Sequence, residues 1–343
     1  MSKVLALFNH KGGVSKTTTA FNLGWAISQR NKKVLLVDAD SQCNLTGLVL
    51  GFQEDDAFEQ FYQASPYSNI SGLIAPLFNS QPAPIQHAQL AATRYPNLSL
   101  LAGHIDLSEI ETQLAVALTT AASLRALKNL PGAVSAIIRD VAQQNQIDLV
   151  LLDMSPAVGA LNECLLMGSD FFIIPTMPDY FCKQAIHSLA KVIPRWNTEV
   201  QQFRDPSLSY PIPTQPPRFM GIISQKYRPR GGAPGAGFQR WINRIKESVD
   251  SALVPALTPL QMAIAPAQFQ AAGPGDTPYN LINISDFNTL VTQSQKHSVP
   301  VPDLSDAQIE RQGMVLDNMR VSRNEFRNIF FQLADSVIAL TGI

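Results

Sequence analysis

The stretch KVLALFNHKGGVSKTTTAFNLGWAISQR, from Lys3 to Arg30, constrains the fold more than any other part of the chain. Lys3 to Phe8 is a short apolar run of strand type, and Thr17 to Arg30 spaces its apolar residues like an amphipathic helix. Between them lies a turn with Gly12 and Gly13 that closes on Lys16-Thr17. A helix start presents unpaired backbone N–H groups and the positive end of its dipole, and glycines let the backbone curl around an anion. The stretch therefore reads as a phosphate cradle. The usual pattern G-x-x-x-x-G-K-[ST] has glycines where this chain has His10 and Ser15, so the match rests on its parts. Lys16 reaches β- and γ-phosphates and Thr17 supplies a hydroxyl for Mg²⁺. A glycine turn that merely joins strand to helix would need no Lys-Thr pair. One lysine is enough to hold a phosphate, yet Lys11 stands five positions before Lys16.

Further strand-like runs recur at Val34–Val37, Leu98–Leu101, Leu149–Leu152, Phe171–Ile174 and Phe219–Ile223, most of them followed by a helical pattern. Such alternation predicts an α/β fold, a mostly parallel twisted β-sheet with helices on both faces. Ligands of such a sheet bind at the C-terminal ends of its strands. At 343 residues the chain fits one enlarged domain, expected over 1–343. Residues 52–96 break the pattern and read as an insertion with helical candidates at Ala57–Ala64 and Ile70–Asn79. Residues 204–217 carry five prolines and read as a surface loop, and 255–283 is a second irregular region. Near the end, Phe326, Ile329, Phe330, Leu333, Val337 and Leu340 recur at helical spacing and predict a helix packed on the sheet.

A formal net charge of −1 excludes a generally basic protein, so any nucleic-acid contact must come from a local patch. Cys43, Cys164 and Cys182 lack metal-ligand spacing, which fits a reducing compartment and argues against a disulfide frame or an iron–sulfur cluster. No run approaches the roughly 18 to 20 apolar residues of a membrane span, and the N-terminus enters a strand without a signal peptide. A soluble, intracellular protein is expected.

Acids stand at strand ends. VDADSQ places Asp38 and Asp40 after the second run, where one can support Mg²⁺ or its waters and the other orient an attacking water. Acids at a strand exit can also simply cap it. In IDLVLLDMSP, Asp153 ends a buried-type strand, the place of a carboxylate that holds the hydration shell of Mg²⁺.

Taken together, these segments resemble the deviant-Walker ATPases of the ParA/MinD type, over most of the first 195 positions. KGGVSKTTT resembles that family's K-G-G-x-x-K-T-T, VDADSQCNLT its V-D-x-D-P-Q-x-N-x-T, and DLVLLDMSPAVGALNECLLMGSDFFIIPTMPDYFCKQAI its Walker-B strand with the following helix and strand. The resemblance implies a P-loop NTPase fold that binds Mg·ATP through Lys11, Gly12, Gly13, Val14, Ser15, Lys16, Thr17 and Thr18. It implies that Thr17, Asp38 and Asp153 serve the metal. Lys11, Lys16 and Asp40 are implied in catalysis, Lys11 by reaching the partner's phosphates in a nucleotide-sandwiched homodimer and Asp40 by positioning water. Ser15 and Ser41 replace the family's commoner glycine and proline.

Within the family, NLSLLAGHIDLSEIETQLA and MGIISQKYRPRGG resemble ParA segments, the second ending where ParA carries a DNA-contacting arginine. Between Arg218 and Lys246 there is no acid, while Lys226, Arg228, Arg230, Arg240 and Arg244 form a basic cluster with Tyr227 and Trp241 nearby. This suits contacts to the phosphates of non-specific double-stranded DNA; a solvated helix face or a protein contact is the competing reading. PLQMAIAPAQFQAAG lacks the second basic residue that ParA proteins carry there. LADSVIALTGI carries no Lys or Arg, unlike a terminal basic helix that cycles on membranes. The expected function is a slow, partner-stimulated ATPase switch for plasmid or chromosome partitioning or cargo positioning. Its expected partners are a ParB-like adaptor and DNA, and its expected place the cytoplasm and nucleoid. Alternatives are an ATP-driven dimer that recruits a protein effector without DNA, as in cellulose-synthesis or defence-type relatives, and a ligase-like enzyme acting on a small carboxylate.

Overall fold

The apolar runs become strands buried on both faces. A computed structural model of the chain describes residues 2–51, 55–64, 67–78, 87–121, 125–273 and 279–343. Its sheet contains β1 (Lys3–Leu7), β2 (Val34–Ala39), β3 (Ala91–Ala92), β4 (Leu98–Leu101), β5 (Leu149–Met154), β6 (Phe171–Thr176), β7 (Arg218–Tyr227) and β8 (Asn280–Ser285). The spatial order is β8-β7-β6-β1-β5-β2-β4-β3. All neighbours are parallel except the short β3, which runs antiparallel to β4. β1 lies between β5 and β6, so the chain leaves β1 at a topological switch point, where such sheets open a crevice.

The helices are α1 (Lys16–Ser28), α2 (Asn44–Leu50), α3 (Asp55–Ala64), α4 (Ile70–Phe78), α5 (Leu107–Thr120), α6 (Leu130–Gln144), α7 (Ala160–Met167), α8 (Tyr180–Glu199), α9 (Ala236–Ser248), α10 (Thr289–His297) and α11 (Gly313–Thr341), apart from shorter turns. In the region read as an insertion, α3 and α4 stand where helices were expected; residues 52–54, 65–66 and 79–86, including Asn79, lie outside the described residues. α4 buries Ile70, Leu73 and Ile74, and the Tyr62 hydroxyl of α3 donates to the Gly103 carbonyl at 2.5 Å. In the 204–217 segment Ile212 is buried, and its N–H donates to the Phe203 carbonyl at 2.8 Å.

Two expectations need revising. Within the 255–283 region residues 274–278 lie outside the described residues, and the described parts are more ordered than their composition suggests. Met262 to Ile264 run along β7, with the Phe219 N–H donating to the Met262 carbonyl at 2.7 Å and the Ile264 N–H to the Phe219 carbonyl at 3.1 Å. The region then supplies β8, the sheet edge, which pairs with β7. Gly221 lets the two strands approach. Its φ is +148°, and a Cβ there would stand 2.7 Å from the Tyr279 carbonyl oxygen. The C-terminal helix forms with the expected apolar face, but it lies across α1 and beside β8. The Trp25 and Phe331 rings stack at 5.3 Å, the Phe287 and Phe326 rings approach to 4.5 Å, and Arg30 holds Asp335 through bonds of 2.7 and 3.0 Å. Among the described residues no helix is long and apolar enough to cross a membrane.

Candidate functional site

The turn after β1 is fastened at its start and wrapped around Lys16. Asn9 donates through its side-chain amide to the Pro175 carbonyl at the end of β6 (2.8 Å) and accepts the Lys11 N–H at 2.9 Å. The Lys16 ammonium donates to the Asn9 carbonyl at 2.9 Å and to the Lys11 carbonyl at 3.5 Å. Burial lowers the Lys16 pKa, and the charges of Asp153 and Asp40 oppose that shift. The turn needs two left-handed backbones, Gly13 at φ 76° and Ser15 at φ 60°, and Ser15 leads into α1. The Ser15 position thus has the geometry that glycine adopts without a steric cost.

β7 braces the turn from the far side. The Gln225 amide donates to the Val14 carbonyl at 3.2 Å, the Thr19 hydroxyl donates to Gln225 Oε1 at 2.9 Å, and the Lys226 ammonium donates to the Gly13 carbonyl at 3.0 Å. A cavity of about 450 Å³ opens from the turn and is lined by Gly13, Ser15, Lys16, Thr17, Thr18, Asp40, Gln42 and Asn44, with Pro156 beside them. On the β7 and β8 side the lining continues with Lys226, Asp286, Phe287, Val291 and Gln295. Lys226, read from sequence with the basic cluster, therefore belongs to this cavity.

The three acids converge at the ends of neighbouring strands, but they are not equivalent. Asp40 lies at the cavity wall, and its carboxylate accepts the Gln42 N–H at 3.0 Å. Asp38 is sealed behind it. One Asp38 oxygen accepts both the Thr46 N–H (2.8 Å) and the Thr46 hydroxyl (2.7 Å), and the other accepts the Asp40 N–H at 3.2 Å. Burial pushes the Asp38 pKa up to about 6 against these bonds. Asp153 is 1% exposed, and its Oδ1 has no hydrogen-bond partner among the described residues. Burial and the Asp38 charge push its pKa up to about 8, while the Thr17 hydroxyl and Lys16 pull it down. A buried, unpartnered carboxylate oxygen beside a threonine hydroxyl suits a hard divalent cation, so the residues present fit Mg²⁺. The loop after β5 is held by Asn162, whose amide donates to the Ser155 carbonyl and hydroxyl (both 3.0 Å) and to the Ala157 carbonyl (2.9 Å). This positioning role of Asn162 was not read from the sequence, because a polar residue early in a helix has many ordinary uses.

Lys11 points elsewhere. Its ammonium pairs with Asp179 at the start of α8 and lies 5.7 Å from the Phe181 ring centroid. Beside this pair, at the rim, Phe181 and Tyr180 stand 68% and 51% exposed, while Ile105 and Val158, in the loops after β4 and β5, are 70% and 45% exposed. From Phe181 a row of rings leads through Tyr180 (5.7 Å) to Trp241 (6.3 Å), on which the Arg244 guanidinium lies at 4.9 Å. Arg228, Arg230, Arg240 and Arg244 are all exposed; Arg230 lies in a short hairpin of 229–230 with 233–234, and Arg240 and Arg244 lie on α9.

A parallel sheet whose central strand feeds a glycine-bearing phosphate turn and a helix start, with acids at the adjacent strand ends, defines a P-loop nucleotide-binding fold. The family model described as AAA domain (AAA_31) matches residues 2–204, and the chain belongs to that family, as a P-loop ATPase of the ParA/MinD type. The sporulation initiation inhibitor protein Soj of Bacillus subtilis is 28% identical over 195 residues, which is 56% of this chain and 65% of Soj. The matched region thus spans a little under two thirds of that relative's length. Among solved structures, an ATP complex of a Cyanothece McdA variant superposes with a TM-score of 0.59 at 16% identity, covering 94% of this chain and 96% of that one. The pNOB8 ParA bound to nonspecific DNA gives a TM-score of 0.58 at 18% identity, covering 100% and 99%. These likenesses concern the fold.

Proposed function

We propose that the chain is one ATPase domain that binds Mg·ATP, joins a second copy around two nucleotides, and in that state holds double-stranded DNA without sequence preference. The observation that carries this reading is the divergence of the two lysines: Lys16 turns into its own phosphate turn, whereas Lys11 leaves it for the apolar rim. Lys11, paired with Asp179 at the rim, stands away from its own phosphate turn, where exchange of that partner would let it serve a neighbour's phosphates.

In this scheme Lys16 neutralises the β- and γ-phosphates, and Gly12, Gly13, Val14, Ser15, Thr17 and Thr18 surround them. Thr17 and Asp153 hold the metal, with Asp38 as the buried support that fixes Thr46 and the Asp40 backbone. Mg²⁺, when bound, offsets negative charge on the phosphates. Asp40 orients the attacking water. Lys226 braces the turn and faces the nucleotide, while Arg228, Arg230, Arg240 and Arg244 face DNA. The row from Phe181 to Arg244 connects the rim to the basic helix, so bringing two rims together also sets two basic faces side by side. Slow hydrolysis that a ParB-like protein stimulates would make this a switch for partitioning or positioning cargo on the nucleoid. The McdA–ATP and ParA–DNA folds are consistent with both ligands.

Light scattering and filter binding test the scheme together. ATP, and not ADP, should yield a dimer, and only the dimer should retain duplex DNA, with affinity falling steeply as salt rises. Lys11→Ala should bind nucleotide and stay monomeric. An ATP dimer that ignores DNA at every salt concentration would transfer the assignment to a dimer that recruits a protein effector.

A further inference from the structure

We propose that Tyr62, on helix α3 of the region read as an insertion, is a positioning residue for Asp40 and holds it through a continuous chain of hydrogen bonds. This rests on the reading above in which Asp40 orients the attacking water. The Tyr62 hydroxyl donates to the Gly103 carbonyl at 2.5 Å, and the Gly103 N–H donates to the Thr46 hydroxyl oxygen at 2.9 Å. That hydroxyl donates to one Asp38 oxygen at 2.7 Å, and the other Asp38 oxygen accepts the Asp40 N–H at 3.2 Å. The last three bonds are buried, where a group that loses its partner has no water to replace it. A displacement at Tyr62 is therefore passed on to the acid at the cavity wall.

Gly103 leaves little slack in this chain. A Cβ there would stand 3.0 Å from Asp38 Cγ and 3.1 Å from the Asp38 carbonyl oxygen, so the Gly103 backbone lies directly on Asp38. A second contact reaches the same loop, because the Tyr62 hydroxyl also hydrogen-bonds the Cys43 side chain, and the Cys43 N–H donates to the Asp40 carbonyl at 2.9 Å. Tyr62 is itself fixed by rings. His104 meets it edge-on at 4.7 Å and Phe61 at 5.2 Å, while Phe58 on the same helix lies against Gly47 of α2. Burial pushes the Tyr62 pKa above its ordinary value, so the hydroxyl keeps its proton and remains a donor. The phosphate turn is held separately, by Asn9 from below and Gln225 from β7. Loosening Tyr62 thus disturbs the group that acts on water and spares the groups that hold phosphate.

Tyr62→Phe keeps the ring and removes the donor. In phosphate-release assays its kcat should fall roughly three- to tenfold, the scale of one hydrogen bond, while ATP affinity by calorimetry stays within about twofold of the parent. The loss must pass through Asp40, so adding Tyr62→Phe to Asp40→Ala should leave the residual rate of Asp40→Ala unchanged. Should the phenylalanine variant misfold, Tyr62→Leu provides the same test with another side chain that cannot donate. A parental kcat in a folded Tyr62 variant overturns the positioning role. So does an equal loss of ATP affinity, which would mark a general collapse of the pocket, and so does a further drop in rate in the double variant. Turnover at the parental rate in Asp40→Ala refutes instead the reading of Asp40 on which this inference rests.

Discussion

Asp38 and Asp153 are register partners on the adjacent parallel strands β2 and β5, and both carboxyls are sealed from solvent. Burial is the main reason that the folded chain holds protons on both well above the ordinary range of a carboxylate, with the Asp40 charge adding to the shift of Asp38 and the Asp38 charge to that of Asp153.

The consequence for stability has a definite sign. A carboxyl with a raised folded pKa binds more protons folded than unfolded, so its contribution is complete below the unfolded value and is lost as pH climbs through the folded one. The nucleotide-free protein should therefore lose stability between about pH 4 and pH 8, the interval from an ordinary carboxylate to the raised Asp153 value. Asp153→Asn should remove much of that slope and stabilise the protein at pH 8 by about 1 kcal/mol or more. Denaturant melts at a series of pH values measure it, and a slope equal to the parent's contradicts the assignment.

Lys16→Ala should weaken ATP binding by roughly ten- to hundredfold, the worth of charge-assisted bonds to the phosphates. Lys226→Ala should weaken it less, because that ammonium braces the Gly13 carbonyl from outside. Calorimetry with ATP and ADP ranks the two, and equal affinity in Lys16→Ala and the parent would remove the phosphate-turn assignment.

Asp40→Ala should bind ATP but hardly turn it over, since orienting water acts on the transition state and not on the bound ground state. The variant should accumulate as an ATP dimer. Phosphate release at the parental rate would exclude Asp40 from that duty.

Arg230→Ala should lower the slope of DNA affinity against salt by roughly one counterion for each phosphate the arginine no longer neutralises, with no change in sequence preference. Lys226→Ala should leave that slope alone at saturating ATP, since its ammonium is engaged at the phosphate turn. If the two variants change the slope alike, Lys226 belongs to the DNA face after all.

Gly221→Ala should destabilise the fold by about 2 kcal/mol or more, because a left-handed backbone and a backbone oxygen 2.7 Å from the new Cβ act together. Ser15→Gly should be neutral or stabilising by less than about 1 kcal/mol, the relief of a left-handed serine set against the greater freedom of glycine when unfolded. Chemical denaturation decides both.

What was legible in the sequence is what depends on local chemistry. β1, the phosphate turn and α1 follow from adjacent residues, and β5 with Asp153 follows from an uninterrupted apolar run. β8 was not legible because an edge strand with Asn280 and Asn283 in it lacks that run, and only its pairing with β7 reveals it. The far wall of the cavity went with it: Asp286, Phe287, Val291 and Gln295 enter the site through a strand that periodicity did not announce. The sequence assigns Asp38 and Asp40 different duties, metal and water, but that Thr46 donates through its N–H and its hydroxyl to a sealed Asp38 depends on the folded backbone. The cluster around Arg230 was visible as charge, but the left-handed Lys226 that folds away from it was a matter of backbone geometry.

The placement of β1 between β5 and β6 has a further consequence for how the chain is made. The strand that carries the phosphate turn is synthesised well before both its hydrogen-bonding partners, which emerge more than a hundred residues later, at 149–154 and 171–176. α1 waits longer still for its cover, since Trp25 stacks on Phe331. Closing such long loops is slow, and the unpaired strand is exposed to aggregation in the interval. On the ribosome, then, the nascent chain gains its nucleotide pocket late, and capture of nucleotide marks the end of folding instead of guiding its beginning.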